Sequence, residues 1–268
     1  MKLQKSLVVP FMLATLLTAC ADVPMTGRQQ LLIIPESQMK QASLAAYDEL
    51  KKSEKVVSNT RDAEMVEGVG KRLQQAVEDY FVEHGMHNQI PKYQWEFSLF
   101  DNDEPNAFCM AGGKVGIYTG LLPITDNEAG LAAVMGHEIA HAVASHGRER
   151  ASQKMATQLG GNLLQKFMGG SSDGEVTSLV MVAYGVGAQV GALLPFSRLH
   201  EAEADRMGLI FMAMAGYDPR EAPLVWERMK EHDGGKEPPE FISTHPSNQS
   251  RIDELNQLMP EALTYYQK

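Results

Sequence analysis

The sequence predicts an α+β fold that is mostly helical and carries one small β-sheet. Apolar residues recur at helical spacing between residues 36 and 84 and again beyond residue 198. Residues 93–100 instead alternate apolar and polar side chains, which is the period of a half-buried strand. Two further apolar runs flank Gly112-Gly113, where we expect a hairpin turn. With 268 residues, 44% of them hydrophobic, the chain is long enough to bury a substantial core.

The first 19 residues have the pattern of a lipoprotein signal peptide. Lys2 and Lys5 precede an apolar run that is too short to be a dependable membrane span. The run ends on the sequence LTAC, which resembles the bacterial lipobox whose cysteine, here Cys20, is acylated. An ordinary signal peptide with an incidental cysteine is the alternative. We therefore predict a signal peptide over residues 1–19, a lipidated and extended tether over residues 20–35, and one domain over residues 36–268.

The predicted domain begins with helices and continues with strands. Residues 36–84 are expected to form two or three helices, and residues 93–100 the first strand of the sheet. Residues 107–110 and 114–119 are expected to pair as a hairpin.

A helix that contains the sequence HEIAH follows the hairpin. Thr125, with Glu128 three residues later, has the pattern of a capping box, and Gly147 suits the end of the helix. Further helices are expected over residues 198–214 and from a Ser247 cap to Met259.

His137, Glu138 and His141 form an HExxH motif inside this predicted helix. Residues four apart lie on the same face of an α-helix, so the two imidazoles are expected to point at one centre, which is half of a zinc site. Glu138 is rotated by about 100° from His137, so it would lie beside the metal and take a proton from the attacking water. Two incidental histidines are the alternative, although burying three ionisable groups without partners costs free energy.

The third metal ligand must come from another segment. A histidine at position 147 would complete one known zinc pattern, but that position holds Gly147, and His146 lies one residue out of place. In the sequence FSRLHEAEADRMG, Glu201 and Asp205 are four apart and share a helix face, whereas Glu203 is rotated by about 200° and is expected to point away. Glu201 is the predicted ligand, and Asp205 is predicted to accept the spare ring N–H of a ligating histidine. An exposed acidic helix face is the alternative.

Residues 176–197 carry no charge, which raises the question of a transmembrane helix. Its glycines dilute the hydrophobicity, and a small-residue helix packed against another helix explains the same pattern. A single crossing there would also separate Glu201 from His141, and the two could not then bind one metal ion. We therefore expect a packed helix.

These motifs, together with NAFCMAGGKVGIYTGLL and STHPSNQSRI, resemble peptidase family M48, the Ste24/Oma1-like zinc metalloproteases, and specifically their bacterial envelope lipoproteins. The resemblance implies a gluzincin-like fold and one Zn²⁺ ion per chain, with His137, His141 and Glu201 as its ligands and Glu138 as the general base. It also implies that His245 lies near the metal, as a gate over it or as a donor to the transition state. A histidine in an ordinary turn is the alternative.

The same resemblance implies that strand 114–119 is an edge strand beside the HExxH helix and aligns an extended peptide substrate. Adding a strand to a sheet edge uses backbone hydrogen bonds and makes little demand on side chains. A strand that only serves the core is the alternative. The predicted substrate-binding residues are Gly113, Lys114, Val115, Gly116 and Ile117.

The net charge is −10, and −12 once Lys2 and Lys5 of the signal peptide are removed, which argues against nucleic acid or an anionic lipid surface as a partner. We predict a zinc metalloendopeptidase, held by its lipid on the periplasmic side of the outer membrane, that cleaves misfolded or damaged envelope proteins. A latent protease that acts mainly as a chaperone-like binding protein is the alternative, with His245 or the loop 233–240 over the metal. A zinc amidase or other hydrolase is a weaker one.

Overall fold

The structure is a computed structural model. It describes residues 20–89, 93–158, 198–233, 245 and 249–266. The predicted signal peptide, the uncharged segment 176–197, most of the loop 233–240 and the Ser247 cap lie outside the described residues. Among the described residues, every helix is either too short or too polar to cross a membrane.

The predicted α+β class is confirmed, since helices dominate and the strands are short. The helices are α1 (Glu36–Ser53), α2 (Arg61–Glu83), α3 (Leu122–Thr125), α4 (Glu128–Val143), α5 (His146–Gln158), α6 (Arg198–Met214), α7 (Glu221–Asp233) and α8 (Gln249–Tyr265). The strands are β1 (Cys20–Asp22), β2 (Gln29–Leu31), β3 (Val56–Val57), β4 (Glu96–Phe100), β5 (Ala107–Met110) and β6 (Lys114–Tyr118). Short 3₁₀ turns occupy His87–Gln89 and Thr119–Leu121.

The larger sheet has four strands in the order β3-β4-β6-β5. Strands β4 and β6 run parallel, and the other neighbours are antiparallel. The predicted hairpin between β5 and β6 is present, and Gly112 and Gly113 make its turn with φ angles of 92° and 84°. These angles lie in the left-handed region that glycine adopts without strain.

The prediction that strand 114–119 is an edge strand is wrong. Strand β6 is paired on both sides, by β4 in parallel and by β5 in antiparallel register. All five of its residues are buried, as expected for a strand inside a sheet. Among the strands that the structure describes, β5 ends the sheet on this side, and β5 lies against α4.

The segment 20–35 is not the extended tether that its prolines and glycine suggested. Strands β1 and β2 pair as an antiparallel hairpin, with Cys20 opposite Leu31. Val23 and Ile34 are 1% and 0% exposed, so these two apolar residues of the segment join the core. We call residues 20–34 the N-terminal hairpin.

Helix α4 begins and ends at other residues than predicted. Its N-cap is Asn127, whose side-chain oxygen accepts a hydrogen bond from the Gly130 N–H, whereas the Thr125 hydroxyl donates to Leu122 in the preceding helix. After Val143 the chain turns through Ser145, which has φ of 59°, and Gly147 lies inside α5.

Two glycines let α4 and α6 approach closely. A Cβ atom added to Gly208 on α6 would lie 2.9 Å from the His137 backbone nitrogen, and one added to Gly136 on α4 would lie 3.0 Å from the Gly208 carbonyl oxygen. Helix α4 is buried from Gly130 to Val143 and contacts α2, α7 and β5 as well. This crossing brings the acidic segment of α6 beside the HExxH motif.

Candidate metal centre

Four buried side chains converge where α4 and α6 cross. His137, His141, Glu201 and His245 each offer one ligand atom, and these atoms all lie within 4.8 Å of one another. The His137 Nε2 atom is 3.0 Å from His141 Nε2 and 3.4 Å from Glu201 Oε2. The His245 Nδ1 atom lies 3.2 Å from His137 Nε2 and 3.1 Å from both carboxylate oxygens of Glu201.

The donor set fits a divalent transition metal. Three imidazoles and one carboxylate are typical zinc ligands, and the i, i+4 spacing on α4 places two of the imidazoles on one face. All four residues are buried, and ionisable groups of this kind stay buried when they are paired or bind a metal. In addition, Glu138 Oε1 is buried without a hydrogen-bond partner among the described residues.

Behind His137, the side chains of Asp205 and Arg251 form a buried pair. The Asp205 Oδ1 atom lies 2.9 Å from His137 Nδ1, and the Arg251 guanidinium donates two hydrogen bonds of 2.7 Å to the Asp205 carboxylate. Arg251 Nη1 is also 3.0 Å from Glu201 Oε2, and the guanidinium lies over the Trp226 ring. Arg251 was missed from sequence, although it stands in the STHPSNQSRI segment that carried the family resemblance.

The environment shifts the pKa values of the ligand residues. Burial holds the pKa of His141 well below its usual value, which keeps this imidazole neutral. For His137, burial and the Arg251 charge lower the pKa, but hydrogen bonds with Asp205 and Glu201 outweigh them and raise it to about 9. Burial works to raise the pKa of Glu201, yet the charges of His245 and Arg251 hold it well below the usual range. Metal binding at this site therefore requires His137 to release a proton.

Glu138 lies next to the four ligand residues. Burial raises the pKa of its carboxyl, and Oε1 is 3.6 Å from His245 Nε2. His245 thus faces Glu201 with one ring nitrogen and Glu138 with the other.

A second polar network lies behind His141 and was also missed from sequence. The His146 Nδ1 atom is 2.7 Å from His141 Nδ1, and His146 Nε2 is 3.1 Å from Glu203 Oε2. Burial lowers the pKa of His146 to about 4. Glu203 lies off the ligand cluster, as expected from its rotation on α6, but it reaches the site through His146. The one available signal was the His146 position itself, one residue from a recognised zinc-ligand spacing.

Comparison with known proteins identifies the family. Residues 69–259, more than half of the chain, match the model of peptidase family M48. The chain belongs to peptidase family M48. This M48 chain is 39% identical over 174 residues to the mitochondrial metalloendopeptidase OMA1 of Schizosaccharomyces pombe, covering 63% of the chain and 48% of the relative. It is 32% identical over 251 residues to the mitochondrial metalloendopeptidase OMA1 of Danio rerio, covering 90% of the chain and 51% of the relative.

A bacterial relative belongs to the same family. The beta-barrel assembly-enhancing protease of Escherichia coli is 30% identical over 187 residues, covering 65% of the M48 chain and 37% of the relative. The chain thus spans about half the length, or less, of these curated relatives.

The family match and the ligand cluster confirm the predicted enzyme class, a zinc metallopeptidase, and its zinc cofactor. The predicted location on the periplasmic side of the outer membrane is contradicted, because the OMA1 relatives are named as mitochondrial proteins. The prediction rested on the LTAC motif, which predicts an acylated cysteine but does not identify the membrane that holds the lipid.

Proposed function

We propose that this M48 chain is an endopeptidase that cuts unfolded segments of proteins, with Glu138 as its general base. The observation that carries the proposal is the buried Glu138 carboxylate oxygen that lacks a hydrogen-bond partner among the described residues and lies beside a cluster of four residues that could hold a metal ion. A carboxyl in that position is unsatisfied unless a water or a substrate group is bound there.

We assign His137, His141 and Glu201 as the zinc ligands. Bound zinc supplies a Lewis acid that polarises the peptide carbonyl and lowers the pKa of a water molecule. Glu138 accepts the proton of the attacking water and delivers it to the leaving amine, and burial supports this by raising its pKa towards the working range of an acid–base catalyst. Asp205 orients His137 through its Nδ1 atom, and Arg251 holds Asp205 in place.

His245 is suited to two roles. Its Nε2 atom lies on the Glu138 side of the site, where it can donate a hydrogen bond to the developing oxyanion. Its Nδ1 atom lies among the candidate ligand atoms, where it could hold a bound zinc in place of a water molecule.

Unfolded protein is the substrate class that the fold supports best. The outer edge of β5 replaces residues 113–117 of β6 as the candidate alignment strand, and an extended peptide could add to it once the cover over this edge is displaced. An unfolded chain offers such an extended backbone along its whole length. The name of the E. coli relative links that protein to β-barrel assembly, which supports misfolded or damaged envelope proteins as the natural substrates.

Cleavage of unfolded casein by residues 21–268 tests the proposal. We expect activity that a chelator removes and added zinc restores, and that is lost in Glu138→Gln with zinc still bound. Glu128→Gln is the matched control, because Glu128 lies on the same helix but is exposed in its first turn. Activity retained in Glu138→Gln would refute the assignment of the base. Cleavage of cell-wall peptides but not of casein would favour an amidase instead.

A latent enzyme that mainly binds unfolded chains is the second candidate, and two observations favour it. The His245 Nδ1 atom lies among the other candidate ligand atoms, where it would compete with water for a bound metal. The four residues of β5 are at most 3% exposed, so the edge of this strand is covered. His245→Ala should then raise cleavage of casein several-fold. If zinc binds 1:1, casein is not cut and His245→Ala releases no activity, the binding function is the better description.

Acylation of Cys20 stays a prediction from the LTAC sequence. Cys20 begins β1, so a lipid there would attach directly to the N-terminal hairpin. Labelling of cells with a tagged fatty acid tests it, and the label should be absent from Cys20→Ser.

A further inference from the structure

We propose that His146, held by Glu203 and Arg28, is a positioning residue that fixes which ring nitrogen of His141 carries the proton. By doing so it presents the lone pair of His141 to the metal. The inference rests on the zinc site of the proposed function, and it concerns residues that have no role in the mechanism above.

The first step is the orientation of His141. Its Nε2 atom faces the ligand cluster, 3.0 Å from His137 Nε2 and 3.5 Å from Glu201 Oε1. A metal ligand must offer a lone pair, so Nε2 has to be unprotonated and the single proton of the neutral ring belongs on Nδ1. That Nδ1 atom lies 2.7 Å from His146 Nδ1. His141 therefore donates this hydrogen bond and His146 accepts it.

The second step is the tautomer of His146. Its Nδ1 atom can accept only if the proton of the neutral ring sits on Nε2. The His146 Nε2 atom is 3.1 Å from Glu203 Oε2, and an ionised carboxylate can only accept. The Arg28 guanidinium donates to the same Oε2 atom from Nε at 2.7 Å, so this carboxylate accepts from both partners. The direction of donation thus runs from His141 through His146 to Glu203.

The third step is the anchor on the N-terminal hairpin. Arg28 donates from Nε to Glu203 at 2.7 Å and from Nη1 and Nη2 to Glu149 at 3.0 and 2.7 Å. The Glu149 carboxylate also lies 2.9 Å from His200 Nε2, and the His200 ring stacks on His146 with centroids 4.3 Å apart and planes 17° apart. One arginine therefore fixes His146 twice, at its Nε2 atom through Glu203 and at its ring face through Glu149 and His200.

The competing explanation is that these ion pairs only fasten the N-terminal hairpin to the domain. The two explanations differ in what a substitution changes. A fastening role predicts a loss of stability with no change in the His141 ring. A positioning role predicts a change of the His141 tautomer and a weaker affinity for zinc, because partners behind a metal ligand typically contribute about 10- to 100-fold to metal affinity.

The test uses the full chain without its predicted signal peptide, labelled with ¹⁵N-histidine. Long-range ¹H–¹⁵N spectra of the zinc-free protein report which nitrogen of His141 is protonated, and competition with a chromogenic chelator gives the zinc dissociation constant. We expect the wild type to carry the His141 proton on Nδ1. In His146→Ala that proton should redistribute to Nε2, and zinc should bind about 10- to 100-fold more weakly.

Two further variants keep the result interpretable. His146→Asn retains an oxygen acceptor near the Nδ1 position and should recover part of the affinity lost in His146→Ala. Arg28→Ala should weaken zinc binding by about tenfold or less, since it acts one bond further away. Arg206→Ala is the control, because Arg206 also forms a two-bond pair with a glutamate, Glu261, and within the described part of the chain its side chain donates to no ligand residue. It should leave both readouts unchanged.

The proposal is overturned if His146→Ala and Arg28→Ala lower the melting temperature while the His141 tautomer and the zinc affinity match the wild type. Should His146→Ala not fold, Arg28→Ala and Glu203→Gln decide the matter by the same two readouts. Failure of the wild type to bind zinc in a 1:1 ratio would instead count against the proposed function, so the two failures are distinguishable.

Discussion

Replacing Gly208 with alanine tests how closely α6 must approach α4 for the metal centre to form. The new Cβ atom would lie 2.9 Å from the backbone nitrogen of His137 and 3.0 Å from its Cα atom. Non-bonded carbons prefer about 3.5–4.0 Å, so the two helices must separate by roughly 0.5 Å or more. The atoms in contact belong to helix backbone and cannot move aside as the end of a flexible side chain could.

Two opposing terms set the size of the effect. Alanine is favoured over glycine inside a helix by about 1 kcal/mol, whereas forcing an extra carbon into a packed interior costs about 1–3 kcal/mol. We expect a net destabilisation of about 1 kcal/mol, which lowers the melting temperature of a domain of this size by roughly 2–4 °C. Zinc affinity should fall roughly tenfold or more, because Glu201 moves with α6 away from the two histidines of α4.

Thermal unfolding in the presence of a chelator measures the first effect, and chelator competition measures the second. Gly68→Ala is the matched control, since Gly68 is exposed inside α2 and its added Cβ would meet nothing within 4 Å. This control should gain about 0.5–1 kcal/mol of stability. If Gly208→Ala is as stable as Gly68→Ala and binds zinc like the wild type, the close approach of the helices does not hold the site together.

Three other outcomes are expected. Glu138→Gln should lower kcat for casein cleavage by about 10²- to 10⁴-fold, which is roughly the contribution of a general base. The zinc dissociation constant should stay within about threefold of wild type, and equal losses of kcat and of zinc affinity would point to a damaged site. Asn127→Ala should cost about 1 kcal/mol in chemical denaturation, because it removes the N-cap of α4, and an unchanged midpoint would contradict this. Glu149 and Glu203, with pKa values of about 2 against an ordinary 4.5, contribute stability above about pH 4.5 that is lost as pH falls towards 2. Arg28→Ala should flatten that loss in unfolding curves measured from pH 2 to 6, and an identical slope would refute the pairing.

The elements with strong periodic patterns were predictable from the sequence. Helices α1 and α2 and the hairpin of β5 and β6 follow directly from apolar spacing and from Gly112-Gly113. The grouping of His137, His141 and Glu201 was predictable as well, because helical spacing determines which side chains share a face.

What the sequence did not disclose depends on contacts between distant segments. Strand order depends on such contacts. The local sequence of residues 114–118 does not show that β4 pairs with this strand in parallel register on the side away from β5. The roles of Arg251 and Arg28 also depend on distant contacts. An arginine in a polar segment is expected to be exposed unless its carboxylate partners are known. The Thr125 cap failed for a local reason, as Asn127 is the stronger cap and stands two residues later.

The N-terminal hairpin also has a consequence for the order in which the molecule assembles. Thr26 and Arg28 meet Glu203 across 177 and 175 positions of the chain, so these bonds close one of the longest loops in the protein. Loop closure of that length is entropically costly, and such bonds form only after the helices between them have condensed. During synthesis the hairpin is made well before α6, so it can reach its final contacts only after α6 has been added. The imidazole network behind His141 is therefore expected to be completed only after α6 has packed against α4, so His146 gains its support late in folding.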